Sequence, residues 1–221
     1  MINNVRVVIP PKILLITAKP PTKIDGNRHQ LKPLLHRFPN QIVWFSVEPP
    51  SEGFKTSEVP IPYAYGDLLK RPSRKGTKYI RNRLNYGLWS VYQGYKASLF
   101  GKRHSVNLVW TVAETVSMIA GPWAARFLRV PMMMSVMDDP IGLIQWGKKT
   151  FPSIEMTTRL LRRLINVSQS HSVISSQMAS HYRETYGIQP YVLYTGANPD
   201  YVCAPRPLVR TQMQFIIGHI G

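Results

Sequence analysis

The 221-residue chain is 44% hydrophobic and 10% aromatic, which excludes a disordered protein and allows one full domain with a large core. No stretch approaches the roughly eighteen consecutive apolar residues of a membrane-spanning helix. Its 28 Lys plus Arg against 11 Asp plus Glu give a formal charge of +17, an excess that attracts nucleic acid, anionic lipid or phosphorylated substrates without choosing among them.

Met1 to Pro11 holds a short apolar stretch broken by Pro10 and Pro11, so no cleavable signal is expected there. Lys12 to Ala18 (KILLITA) is a continuous aliphatic run, the pattern of a strand buried on both faces of a parallel sheet. A loop follows, KPPTKIDG, and then a helical pattern through Leu31, Leu34, Leu35 and Phe38. Gln41 to Val47 reads as a second strand, and Val59 to Tyr63 as a short one weakened by Pro60 and Pro62. Lys78 to Phe100 is predicted helical, Val106 to Val112 a strand, and Glu114 to Leu128 a helix. Pro131 to Met137 is a strand closing in the turn-like Asp138-Asp139-Pro140. A helix over Ile154 to Ile165, a strand over His171 to Ile174 and a helix over Ser176 to Tyr186 follow, the last stopped by Gly187. Tyr191 to Tyr194 is a final short strand.

Strands alternating with helices of this length predict an α/β fold: a Rossmann-like, mostly parallel sheet with helices on both faces. Ligands of such sheets bind beyond the carboxyl ends of the strands, which singles out the loops after Ala18, Val112 and Met137. The single cysteine, Cys203, forms no internal disulfide, as expected of a reducing, cytoplasmic compartment. Residues 1–200 read as one domain, 201–213 as a linker and 214–221 as the first strand of a second domain that is cut short.

Five segments in order resemble the family-four-like glycosyltransferases of the GT-B fold. They are ILLITAKPPTKIDGNRHQLKPLL (13–35), MMMSVMDDP (132–140), SHSVISSQMASHYRETYGI (170–188), YTGANPD (194–200) and FIIGHIG (215–221). The first resembles the family's strand, glycine loop and helix, with Gly26 present and Asn27 where a second glycine often stands. The second resembles a strand ending in His-Asp, with Met137 in place of the histidine. In the fourth, Gly196 is kept, Thr195 replaces Asn and Asn198 replaces Asp. The resemblance implies the N-terminal, acceptor-side half of a two-domain enzyme that transfers a sugar from a nucleotide-diphosphate sugar to an acceptor hydroxyl. The donor is then a co-substrate rather than a cofactor, the acceptor a sugar or a lipid-linked molecule, and the fragment alone is expected to turn over little.

Gly26 lets backbone approach a ligand closely, and the helix after it offers free N–H groups to a diphosphate. Asp25 and Asn27 have two readings, as helix caps or as ligand contacts, and Arg28 and His29 two, as phosphate contacts or solvated first-turn residues. Asp138 is the candidate general base, with Asp139 beside it to bond sugar hydroxyls or to close a turn. Glu114 also falls at the cleft edge, although an acid in a first helical turn is expected on electrostatic grounds alone. Ser175 and Gly196 complete the candidate cleft, Ser175 with N-capping as its plain alternative. The six histidines are scattered and no metal-ligating cluster is seen.

From Lys70 to Arg103 basic residues interleave with aromatic rings and no acid intervenes. Arg81, Arg83, Tyr86, Trp89, Tyr92 and Lys96 are the candidate contacts to an anionic membrane, and the resemblance implies that such contact would be peripheral, on the inner face. A helix packing its rings on the sheet gives the same pattern, as does a single-stranded nucleic acid groove. Two further function classes stay open: a basic nucleic-acid-binding module with no sequence preference, and another Rossmann-like enzyme. Against the latter, no Gly-x-Gly-x-x-Gly follows the first strand.

Overall fold

The computed structural model describes residues 11–20, 37–50, 59, 61–67, 78–146 and 153–193, with the backbone alone for 78–84 and 146. Seven strands form one sheet: β1 (Ile13–Thr17), β2 (Ile42–Ser46), β3 (Tyr63–Tyr65), β4 (Leu108–Val112), β5 (Met132–Val136), β6 (Ser170–Val173) and β7 (Tyr191–Val192). Their order is β3-β2-β1-β4-β5-β6-β7 and every pairing is parallel. Five helices are described: α1 (Lys78–Arg103), α2 (Ser117–Leu128), α3 (Pro140–Trp146), α4 (Ile154–Val167) and α5 (Ser176–Tyr186).

The two-residue period of the strands divides the core. Leu14, Ile16, Val43, Phe45, Val109, Met132 and Met134 face one side, where Tyr86 and Ala97 of α1, Ala120 and Ala124 of α2, Leu161 and Leu164 of α4 and Tyr182 of α5 cover them. Leu15, Ile42, Trp44, Trp110 and Val112 face the other side, with Met137 and Ile61. The helix predicted through Leu31, Leu34, Leu35 and Phe38 lies almost wholly outside the described residues. Two indole N–H groups on this face are satisfied internally, Trp44 Nε1 by Thr17 Oγ1 at 2.9 Å and Trp110 Nε1 by Ser135 Oγ at 2.6 Å. Ser135 Oγ lies 2.5 Å from Ser172 Oγ, extending the polar tie across three strands.

Small residues set how closely the helices approach. A Cβ on Gly94 of α1 would lie 2.6 Å from the Ala120 carbonyl oxygen of α2, and one on Gly121 would lie 2.0 Å from Thr111 Oγ1 of β4. Helix ends follow capping chemistry. Ser153 Oγ accepts from Met156 N–H and Ser175 Oγ from Met178 N–H, while Gly187 ends α5 in the left-handed region at φ 68°.

Most element boundaries shift by one to three residues, and three departures have a clear physical reason. The strand expected at Val59–Tyr63 forms instead at Tyr63–Tyr65, because Pro60 and Pro62 have no N–H to give to the ladder. Pro62 contributes only its carbonyl, which accepts from Trp44 N–H at 2.9 Å. The helix expected from Glu114 begins at Ser117, so Glu114 stands ahead of it rather than in its first turn. Asp138-Asp139-Pro140, expected as a turn, opens the short helix α3 with proline at its first position.

Candidate functional site

Strand order locates the candidate binding edge. The chain runs from β1 outward to β2 and β3, then crosses through α1 to β4 on the other side of β1. The connections thus diverge at the carboxyl ends of β1 and β4, the switch point where open parallel sheets bind ligands. There the N–H of Ala18 donates to Glu114 Oε2 at 2.5 Å, and Glu48 N–H donates to the Ala18 carbonyl at 2.8 Å. Ser117 Oγ fixes the turn beneath Glu114, donating to the Val112 carbonyl at 2.6 Å while accepting from Glu114 N–H at 3.2 Å. Glu114 is therefore at the predicted edge, held by a fixed strand-to-strand bond and not by a helix dipole.

Asp138 and Asp139 follow β5 on the same edge, and the structure separates their roles. Asp139 Oδ1 and Oδ2 accept from the N–H groups of Ile141 and Gly142 at 3.2 and 3.0 Å, so its carboxylate caps α3. Asp138 is half-buried, and burial holds its carboxyl above the ordinary carboxylate range. A carboxyl with that shift at the binding edge fits a general base or a hydrogen-bonding group to a sugar hydroxyl. Met137 is buried with Leu15, Trp44 and Trp110, so its side chain fills the core of the second face and not the cleft. Ser175 spends its hydroxyl oxygen on the cap of α5. Asp25, Gly26, Asn27, Arg28, His29 and Gly196 lie outside the described residues.

Near this edge the sequence reading assigns Tyr86 to a membrane and leaves Gln93 and Tyr182 unread. The Tyr86 hydroxyl is raised well above the usual phenol range, by burial first and by the Glu48 charge, while a hydrogen bond with Thr115 opposes the rise. Gln93 is fully buried, and among the described residues neither Oε1 nor Nε2 has a hydrogen-bond partner. Its side chain lies against Gly66, where an added Cβ would come within 2.2 Å of Gln93 Oε1 and of the Val47 carbonyl. Burial and the charge of Asp139 likewise raise Tyr182, whose hydroxyl is also without a partner among the described residues. The signal for the α1 residues was helical spacing: Tyr86, Ser90, Gln93, Ala97 and Gly101 share its inward face.

That spacing also corrects the predicted membrane contacts. Tyr86 is buried and Trp89 packs against the core, so both point inward. Tyr92 does face outward, half exposed, and Lys96 Nζ is paired with Asp67 at 2.9 Å. The side chains of Arg81 and Arg83 lie outside the described residues. Among the described residues no helix is long and apolar enough to cross a membrane.

A parallel seven-stranded sheet with a switch point between β1 and β4, and carboxylates along its carboxyl edge, defines a Rossmann-like α/β domain. Among solved structures, this fold is that of one part of GT-B glycosyltransferases. Anabaena HepE, solved with UDP and glucose, superposes with a TM-score of 0.58 at 12% identity, over 85% of this chain and 45% of that one. Acinetobacter baumannii MurG superposes at 0.50 and 15% identity, over 84% of this chain and 45% of that one. A UDP-glucose:anthocyanidin 3-O-glucosyltransferase in complex with UDP superposes at 0.52 and 13% identity, over 89% and 55%. The chain thus spans about half the length of the enzymes it resembles. No protein-family model matches the sequence, and no curated protein matches it by sequence.

Proposed function

We propose that this chain is the N-terminal, acceptor-side half of a family-four-like GT-B glycosyltransferase, which moves a sugar from a nucleotide-diphosphate sugar to an acceptor hydroxyl. The observation that carries the reading is the superposition on HepE over 85% of this chain but 45% of that enzyme. In this reading the carboxyl edge of the sheet is the wall of the cleft. Asp138 accepts the proton of the acceptor hydroxyl, its carboxyl poised by burial, while Glu114 positions the end of β1 through Ala18 N–H. The acceptor is a sugar, free, polymeric or lipid-linked. Charge developing on the leaving diphosphate is stabilised mainly by groups of the other half, so this half alone turns over little.

Ligand-observed NMR on the 221-residue chain tests the reading against its rivals. The panel holds simple glycosides, several nucleotide sugars, a nicotinamide dinucleotide and a single-stranded oligonucleotide. Saturation transfer to glycosides or nucleotide sugars, weakened in Asp138→Asn, is the expected result. Transfer to the dinucleotide alone would make the chain another Rossmann-like enzyme. Transfer to the oligonucleotide alone would make it a nucleic-acid-binding module.

A further inference from the structure

The outward face of α1 carries a stripe that the inward-facing core does not explain. Leu88, Tyr92, Tyr95 and Leu99 repeat at helical spacing and are 70%, 50%, 46% and 41% exposed. The stripe continues onto α2. The Tyr95 ring meets Phe127 edge-on at 5.6 Å, Phe127 lies 5.6 Å from Trp123, and the Arg126 guanidinium stands over Trp123 at 5.5 Å. Phe127 is itself 44% exposed. Beyond Trp123 opens a groove of about 330 Å³ at the amino edge of the sheet, with Arg126, Arg129 and Arg163 in its wall and no acidic residue there. All three arginines are exposed, and among the described residues none is ion-paired. The groove lies beside the start of β5, away from the carboxyl edge that bears Glu114 and Asp138.

We propose that the outer faces of α1 and α2 dock the chain on an anionic lipid bilayer, the apolar stripe entering the interface and the arginine groove receiving headgroup phosphates. Large exposed apolar side chains bordered by unpaired cations fit a surface that is apolar below and anionic above. The planar guanidinium fork can bond two oxygens of one headgroup phosphate with a pair of hydrogen bonds. Leu88 and Leu99 decide against nucleic acid, because an aliphatic side chain has no ring on which a base can stack. The net charge of +17 supplies attraction at longer range. This surface stands on exposure and charge and is independent of glycosyl transfer, so its test needs no enzyme activity.

The test is co-sedimentation of the 221-residue chain with vesicles of phosphatidylcholine, with and without phosphatidylglycerol, at physiological ionic strength. The chain is expected to bind the mixed vesicles and to leave the pure phosphatidylcholine ones in solution. Arg129→Gln with Arg163→Gln is expected to lower partitioning about tenfold or more. Leu88→Ser, at the most exposed position of the stripe, and Tyr95→Ser with Phe127→Ser are each expected to weaken binding, with circular dichroism unchanged. Equal binding to both vesicles, or full binding by these variants, would overturn the proposal. So would loss of vesicle binding to a single-stranded oligonucleotide, which makes the surface a nucleic-acid groove, or a vesicle-free dimer that the same substitutions dissolve, which makes it a contact between copies.

Discussion

The N–H of Ala18, at the end of β1, donates to the carboxylate of Glu114, at the end of β4, across 2.5 Å. This bond closes the gap at which the connections of the sheet diverge. It also gives the switch point a fixed geometry through residues 96 positions apart in the chain.

A charge-assisted bond between two strand ends is worth about 2 kcal/mol when one partner is removed. Glu114→Ala is therefore expected to lower the melting temperature by roughly 4–8 °C for a domain of this size. Glu114→Gln keeps an acceptor oxygen and should lose less than half of that. Thermal unfolding followed by circular dichroism separates the two variants. Equal melting of all three proteins would mean the bond contributes nothing to stability.

Asp138 makes stability depend on pH. Burial raises its carboxyl above the ordinary range, so the folded chain holds this proton more tightly than the unfolded chain does. Its unfavourable contribution is absent below the ordinary carboxylate range, grows as pH rises through the raised folded-state value, and persists to neutrality. Asp138→Asn lacks that contribution. The variant's advantage in melting temperature should accordingly widen between about pH 3 and about pH 7. Parallel curves for the two proteins would show that Asp138 titrates alike folded and unfolded.

Tyr182 is 1% exposed and, among the described residues, its hydroxyl has no hydrogen-bond partner. An unsatisfied buried hydroxyl costs about 1–3 kcal/mol, so Tyr182→Phe is expected to leave stability unchanged or to raise it by about 1 kcal/mol. Chemical denaturation measures the change directly. A loss above about 1 kcal/mol would reveal a partner that the hydroxyl serves.

Gly121 packs against β4 so closely that an added methyl would meet Thr111 Oγ1 at 2.0 Å. Gly121→Ala should cost about 1–3 kcal/mol by overpacking, and Thr111→Ala in the same chain should recover part of that loss. Additive losses in the double variant would show that the two sites do not touch in solution.

What the sequence disclosed follows from how directly each pattern reports burial. The runs at Leu14–Ile16, Val43–Phe45 and Met132–Met134 are apolar at successive positions, which only a strand covered on both faces requires. The helix Ser176–Tyr186 was legible to the residue because Ser175 and Gly187 are specific signals for its two ends. Asp139-Pro140 was ambiguous, since the same residue types make turns and begin helices. In α1 the aromatic residues suggested one stripe, yet Tyr86 is buried on the face opposite Tyr95, and Trp89 packs against the core while Tyr92 is exposed. Ser90 and Gln93 disguised the inward face, being polar residues buried where apolar ones are expected. At the site, chain order located Glu114 and Asp138 on the carboxyl edge, but the division between a capping Asp139 and a half-buried Asp138 depends on where α3 begins.

The most direct test of the central claim is to locate a bound saccharide on the sheet. Photoreactive diazirine glycosides and a photoreactive nucleotide sugar are cross-linked to the 221-residue chain, and the labelled peptides are sequenced by mass spectrometry. The account predicts labels on the carboxyl edge, in the peptides that contain Glu114 and Asp138, suppressed by unmodified ligand and reduced in Asp138→Asn. Labels confined to the amino edge, around Arg129 and Gln169, or labels that unmodified ligand does not displace, would contradict it.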